Sequence, residues 1–345
     1  MRYARLGDTG LVVSRLSFGS MTFGSGQGPM GHVWRTGQKE ATALVGRCLD
    51  AGVNLFDSAD MYAAGESERM LGKALGTRRG EVALSTKAGF RASRSHLRTG
   101  LSARHLIAQC EGSLERLGTD WVDLFIVHRL DPFTPLEETL RALEDLVRSG
   151  KVRYLGYSNW PAWKAGLAVA TQRERRWTPF SAAQMYYSLV GRDVERDTVA
   201  LLREAGIGMM VWSPLAGGFL SGRYTRKDPT GGGGRLAEFD FLPTERERGW
   251  KLIDAMSAIA KRRGASVAQV ALAWLLSKPW AATIVLGASK LSQLDDNLAA
   301  ADLALAADEA AKLDELTAPL NLYPEWFNEK TADAAIREAL GVASQ

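Results

Sequence analysis

The feature that most restricts the fold of this chain is a repeated order: a short apolar run of strand character followed by a stretch with apolar residues at three- and four-residue spacing, eight times over. Run 16–19 precedes 40–51, 54–57 precedes 67–75, 82–87 precedes 103–117 and 124–128 precedes 136–149. Run 154–158 precedes 163–170, 182–184 precedes 194–205, and 209–213 and 283–286 are each followed by further helical patterns. Eight such units predict an α/β fold, a closed parallel (β/α)8 TIM barrel, because right-handed crossovers bury both faces of each strand and closure leaves no open edge. A doubly wound open sheet is the rival, and the missing GxGxxG turn after the first strand disfavours it.

Two strand-like pieces around the turn-forming tetrad 7–10 predict a small hairpin ahead of the barrel. The 345 residues are then expected to form one domain: hairpin 1–14, barrel 15–317 and C-terminal tail 318–345. The longest irregular stretch, about 217–243 with glycines at 231–234, is expected to lie over the active-site face. The run RERR at 173–176 reads as a solvated loop.

A composition of 46% hydrophobic and 24% charged residues supplies a full core. The net charge of +4 is spread along the chain, which favours a small anionic ligand and gives no basic stripe for nucleic acid. No segment approaches the ~20 apolar residues that span a bilayer, and run 267–276, which contains Gln269, reads as a buried helix. The N-terminus lacks the apolar stretch of a signal peptide, so a cytoplasmic location is expected. Cys48 and Cys110 sit in apolar-periodic segments and read as reduced core thiols.

Polar residues, and at the last run a glycine, recur where the apolar runs stop: Asp57, Lys87, His128, Asn159, Gln184, Ser213 and Gly287. Any one alone reads as a capping group. Seven in series read as a site, because a barrel gathers the C-terminal ends of its strands around one pocket. Among them, and with Tyr62, lies an acid–base constellation. A phenol with a pKa near 10 needs a neighbouring cation to exchange protons at neutral pH, Lys87 supplies one, and Asp57 keeps that lysine charged. His128 is then placed to orient a carbonyl oxygen. The quartet lacks an electron source, which calls for a cofactor.

The stretches GVNLFDSADMY (52–62), STKAG (85–89), DLFIVH (123–128), GKVRYLGYSN (150–159), WSPLAGGFLSGRY (212–224) and LGASKLSQLDDNL (286–298) follow one another on successive predicted strands. In that order they resemble the aldo-keto reductase family from about Leu6 to Trp326, most nearly the branch with the potassium-channel β subunits and bacterial relatives. The resemblance implies catalytic roles for Asp57, Tyr62, Lys87 and His128, and an NADP(H) cofactor extended across the strand ends. It implies that Ser158, Asn159 and Gln184 hold the nicotinamide carboxamide, with Ser20, Met21 and Asp57 also at the cofactor. Trp212, Ser213, Pro214, Leu215 and Gly217 would line the pyrophosphate, and Arg223 and Arg235 would close over it. Gly287, Ser289, Lys290, Gln293, Asp296 and Asn297 would take the adenosine end. Asp296 stands where glutamate is commoner. Preference for NADPH over NADH rests on Ser289 and Lys290, with Arg235 at the 2′-phosphate.

The function this implies is reversible, NADPH-dependent reduction of aldehydes and ketones with Tyr62 as general acid and base. Met21, Phe23, Trp34, Met61, Phe90, Trp160, Tyr323 and Trp326 are candidates for an apolar substrate wall, each with an ordinary packing role as the alternative. His32, His96 and His105 fall outside the strand-end series and read as structural or exposed. Two other readings stay open: an NADPH-binding, redox-sensing regulatory module, and a Schiff-base lyase using Lys87. A metal-dependent hydrolase is weaker, since the chain has four histidines and no HxH pair at a strand end. The partner is a small carbonyl or alcohol, with neither nucleic acid nor membrane expected. The sequence leaves the physiological substrate, the direction of reaction and the oligomeric state open, a homo-oligomer included.

Overall fold

The computed structural model describes residues 1–27, 31, 33–229, 231, 241–242 and 245–341. Strands β1 (Tyr3–Arg5) and β2 (Val12–Ser14) form an antiparallel hairpin. Eight parallel strands follow: β3 (Leu16–Gly19), β4 (Leu55–Asp57), β5 (Ala83–Ala88), β6 (Val122–Val127), β7 (Val152–Ser158), β8 (Phe180–Tyr186), β9 (Gly208–Trp212) and β10 (Ala281–Leu286). They pair in chain order, and β10 returns to β3 to close the barrel. The helices between them are α1 (Gln38–Asp50), α2 (Glu66–Leu75), α3 (Ala103–Leu117), α4 (Leu136–Arg148), α5 (Ala162–Arg175) and α6 (Thr198–Ala205). After β9 come α7 (Arg246–Arg263) and α8 (Val267–Leu276), and after β10 α9 (Leu291–Ala299) and α10 (Ala307–Leu316). The tail carries α11 (Glu325–Lys330) and α12 (Ala334–Ala339).

Side chains alternate along each strand, so two cores arise. Leu55, Ala83, Leu124, Ile126, Ala182 and Met210 fill the barrel, where Leu6 and Val13 of the hairpin join them. Phe18, Phe56, Phe125, Tyr157 and Phe180 face the other way and belong to the larger core under the helices. Each such fully buried side chain contributes roughly 1.5–3 kcal/mol. The hairpin meets the N-terminal ends of β8 and β9: a Cβ at Gly7 would fall 2.4 Å from the Gly206 carbonyl oxygen and 2.9 Å from that of Ser181, so only glycine fits. The same alternation carries the interior rows of β4, β5, β8 and β9 on to Asp57, Lys87, Gln184 and Trp212 at the opposite mouth.

The helix expected over 194–205 begins later. Residues Asp193–Glu195 form one tight turn and α6 starts at Thr198, because Glu195 is held by both Arg192 and the Tyr187 hydroxyl. Nor is 173–176 a loop: Arg173 and Arg175 complete the last turn of α5, where cations suit the helix dipole, and Arg176 turns left-handed at its end. The run 267–276 is the buried helix α8, capped by Ser266, whose hydroxyl accepts from Gln269 N–H. Among the described residues no helix is long and apolar enough to cross a membrane. Cys48 and Cys110 are free and fully buried, and burial pushes the Cys110 thiol up to about 12.

Candidate active site

Lys87 is wholly buried at the end of β5, yet its ammonium group has three acceptors. Nζ donates to Asp57 Oδ2 at 2.6 Å, to the Ser58 carbonyl oxygen at 2.5 Å and to the Tyr62 hydroxyl oxygen at 3.3 Å. Asp57 Oδ1 in turn accepts from Ser85 Oγ at 2.6 Å and from Gln184 Nε2 at 3.1 Å. Burial works to lower the Lys87 pKa, but the charge of Asp57 and the contact with Tyr62 outweigh it and the net shift is upward. The lysine therefore stays a cation beside the phenol, and its Nζ lies 4.8 Å from the Tyr62 ring centre.

Tyr62 stands at the start of a tight turn. Ala63 and Ala64 both have positive φ, 47° and 52°, and Gly65 follows at 88°. Two successive alanines in the left-handed region store strain of the kind found at functional sites, and the turn reverses the chain into α2. Behind it Asp60 is buried, its Oδ2 accepting from Gln109 Nε2 of α3 at 2.7 Å while Oδ1 has no partner among the described residues. Burial pushes the Asp60 carboxyl up to about 6, against the opposing hydrogen bond from Gln109. A folded pKa above the unfolded value near 3.9 means the folded chain holds a proton that the unfolded chain has lost. Stability tied to Asp60 is thus fully present below pH ~4 and is lost as pH rises to about 6. Asp60→Asn keeps the bond to Gln109 and should stabilise the protein by about 1–3 kcal/mol at pH 7, with little effect at pH 4. Thermal denaturation at the two pH values checks this, and equal shifts at both would contradict it.

His128 follows β6, with its ring edge-on to Tyr62 at 5.9 Å and to Phe90 at 4.9 Å between centroids. Burial, with Lys87 and Arg129 nearby, holds its pKa well below the ordinary value, so the imidazole is neutral. Nδ1 is buried and has no hydrogen-bond partner among the described residues. Asn159, left-handed at φ 60°, donates through Nδ2 to the His128 carbonyl oxygen and accepts from Trp212 Nε1, each at 3.1 Å. Ser158 Oγ donates to the Gln184 carbonyl oxygen at 2.7 Å. Four candidate catalytic residues and three candidate carboxamide ligands thus meet at one mouth.

Two of the expected wall residues lie elsewhere. Phe23 and Trp160 are in the outer core, Phe23 against Phe18 and Trp160 against Tyr157 and Phe180. Both rings fill space between strands and helices and so do not line the mouth. Tyr323 and Trp326 are exposed and cluster with Phe327, while Glu325 lies 3.7 Å from Arg196. Phe90 stays beside His128, Met61 precedes Tyr62, and Trp34 is buried next to Ala63 across Gly24. The Ser20 hydroxyl engages Ser58 and Ser67 behind the mouth, and the adjacent Met21 is half-buried. His105 is buried against the Phe90 carbonyl oxygen and His96 is exposed; His32 lies outside the described residues.

After β9 the chain makes a bed of left-handed residues: Ser213, Ala216, Gly217 and Gly218 all have positive φ. Ser213 Oγ accepts from Gly217 N–H, and Pro214 and Leu215 lie within the same turn. Arg223 Nε donates to the Gly231 carbonyl oxygen at 2.7 Å; Arg235 lies outside the described residues. After β10 an added Cβ at Gly287 would meet nothing within 4 Å. Ser289, Lys290 and Gln293 are exposed at the start of α9, with Ser289 donating to Gln293 Oε1. Asp296 accepts from Ser266 Oγ and Gln269 Nε2, so α8 holds its carboxylate, and Asn297 is buried beside it. Two side chains escaped the sequence reading: Ser85, which fixes Asp57, and Tyr186, whose ring tilts against Trp212 at 5.2 Å. Each lies two residues from a recognised one on the same strand, so strict alternation was the signal that would have found them.

A closed parallel barrel with a buried lysine–carboxylate pair and a tyrosine at its C-terminal mouth defines a class of reductases. Residues 15–318 match the Aldo/keto reductase family. The chain is 34% identical to versiconal hemiacetal acetate reductase of Aspergillus parasiticus, covering 94% of this chain and 99% of that protein. It is 36% identical to a probable voltage-gated potassium channel subunit beta of Oryza sativa subsp. japonica and to the uncharacterized oxidoreductase YrpG of Bacillus subtilis (strain 168), in each case over 88% of this chain and 92% of the other. The chain belongs to the aldo/keto reductase family and is an oxidoreductase of small molecules.

Proposed function

We propose that this protein is an NADPH-dependent carbonyl reductase, reversible in principle, in which Tyr62 is the general acid and base. The observation that carries this reading is the fully buried Lys87, bonded to Asp57 on one side and to the Tyr62 hydroxyl on the other. A bound reduced nicotinamide supplies the hydride. Tyr62 gives its proton to the carbonyl oxygen as negative charge develops there, and the Lys87 cation stabilises the phenolate left behind. Asp57, fixed by Ser85 and Gln184, keeps Lys87 charged and in place. Neutral His128 donates a hydrogen bond to the same oxygen and orients it.

The donor set at the other strand ends fits such a cofactor. Ser158, Asn159 and Gln184 form an amide-recognition edge, the left-handed bed 213–218 approaches as bare backbone, and the exposed start of α9 offers amides to an anion. Lys290 and Ser289 flank that start and favour a 2′-phosphate. The test is an initial-rate assay following the reduced nicotinamide band with a panel of aldehydes. NADPH should give a kcat/KM roughly tenfold or more above NADH; equal efficiencies would remove NADPH from the proposal.

The rice relative described as a probable channel subunit favours a second reading, an NADPH-binding module that reports redox state to a partner. A complete proton-transfer set weighs against a purely regulatory role. The Schiff-base reading fares worse, because Lys87 is held charged by three acceptors and a nucleophilic amine must be neutral.

A further inference from the structure

One side of the mouth is strongly and unequally charged. Between Glu81 and Glu111 the chain has no acidic residue, while Lys87, Arg91, Arg94, Arg98 and Arg104 are all cations. Arg129, which follows His128, adds to them from the next strand end. Apart from Lys87, all five are exposed, and among the described residues none makes an ion pair. Two carboxylates lie close by: Asp131, which sits in the field of the Arg129 charge, accepts from Leu101 N–H, Phe133 N–H and Thr134 Oγ, and Glu138 accepts from Ala103 N–H. Stretches 146–173 and 255–294 also lack acidic residues, but there Arg148, Lys151, Arg262, Arg263 and Lys278 pair with carboxylates, the interleaving of charge usual at a surface.

The arrangement leads from this rim to the reacting centre. Arg129 Nε donates to the Gly89 carbonyl oxygen at 3.2 Å, which leaves its terminal nitrogens unused among the described residues. Its guanidinium lies 5.1 Å from the Phe90 ring centre, and that ring is edge-on to His128 at 4.9 Å. The Phe90 carbonyl oxygen meets His105 Nε2 at 3.1 Å, and His105, Arg98 and Arg104 line a cleft of about 300 Å³ with Ser95, Leu97 and Ala108. This rim is also remote from the cofactor phosphates: β5 and β6 stand three and four places round the barrel from β10. The arginines here are therefore not a second grip on the same dinucleotide.

We infer that the substrate is an anionic carbonyl compound, an aldehyde or ketone bearing a carboxylate or phosphate, whose charged end is held by Arg129 on the Phe90 ring while its carbonyl oxygen meets Tyr62 and His128. The inference rests on the reductase reading above. A guanidinium stacked on an aromatic ring is pre-organised, so little side-chain freedom is lost when it forks onto an anion. Arg91, Arg94, Arg98 and Arg104 act at longer range and raise the local concentration of anions, an effect that salt screens.

The experiment compares kcat/KM for 4-oxobutanoate with that for butanal, and for glyceraldehyde 3-phosphate with that for glyceraldehyde, in wild type, Arg129→Met and the double variant Arg98→Gln/Arg104→Gln. At low salt the wild type should favour the charged member of at least one pair by roughly tenfold to a hundredfold; which pair shows the larger ratio tells carboxylate from phosphate. Arg129→Met should bring that ratio close to one. The double variant should flatten the dependence of the ratio on salt. If butanal and glyceraldehyde are reduced as efficiently as their charged counterparts, or if a charge preference survives both variants, this inference is wrong and the reductase reading stands. If no member of either pair oxidises the reduced nicotinamide, the reductase reading falls and the inference with it.

Discussion

Lys87→Met should slow the single-turnover reduction of an aldehyde by roughly 10²–10⁴-fold while leaving the affinity for NADPH close to wild type. The methionine side chain has nearly the length of the lysine stem, so the space between β4 and β5 stays filled. What is lost is the cation 3.3 Å from the Tyr62 hydroxyl. Without it the phenolate formed on proton donation has no compensating charge in a buried site. A second effect accompanies the first. Asp57 retains Ser85 and Gln184 as donors but loses its ion-pair partner, and removing one member of a buried pair costs about 3–5 kcal/mol of stability. Kinetics should therefore be measured well below a lowered Tm, with cofactor binding followed by fluorescence titration. Wild-type single-turnover rates in this variant would refute the role given to Lys87.

Tyr62→Phe separates proton donation from structure more cleanly. The substitution removes one oxygen and keeps the ring that packs edge-on to His128 and beneath the Lys87 ammonium. Folding and cofactor affinity should change little, and kcat should fall by roughly 10²–10⁴-fold. An effect confined to kcat identifies a group that acts in the transition state, whereas a rise in KM alone would make Tyr62 a binding residue. Unchanged turnover of every carbonyl would shift the balance to the regulatory reading.

The barrel and the strand-end residues of the quartet were legible because they follow from one physical constraint, whereas Tyr62, in the turn beyond β4, was found through the chemistry it shares with Lys87. Strands buried on both faces read as continuous apolar runs, and Asp57, Lys87 and Gln184 interrupt them only where the interior row reaches the mouth. Beyond the last strand residue alternation lapses, so Phe23 and Trp160, each a few residues past a strand end, turn into the outer core without a signal in their spacing. The aromatic tail residues carried no periodicity at all, and Tyr323 and Trp326 lie exposed. The delayed start of α6 depends on Arg192, Glu195 and Tyr187 meeting in space, which apolar periodicity does not register. Asp60 was not singled out, because only burial against α3 gives it an unusual proton affinity.

The most direct test of the central claim is a single turnover with NADPH in which both hydrogens at nicotinamide C4 are replaced by deuterium, and an aldehyde substrate, in wild type and Tyr62→Phe. The account predicts one deuterium on the carbinol carbon of the product, stoichiometric loss of the reduced nicotinamide band, and a rate in Tyr62→Phe lower by at least about a hundredfold. Alcohol without deuterium, or equal rates in the two proteins, would contradict it.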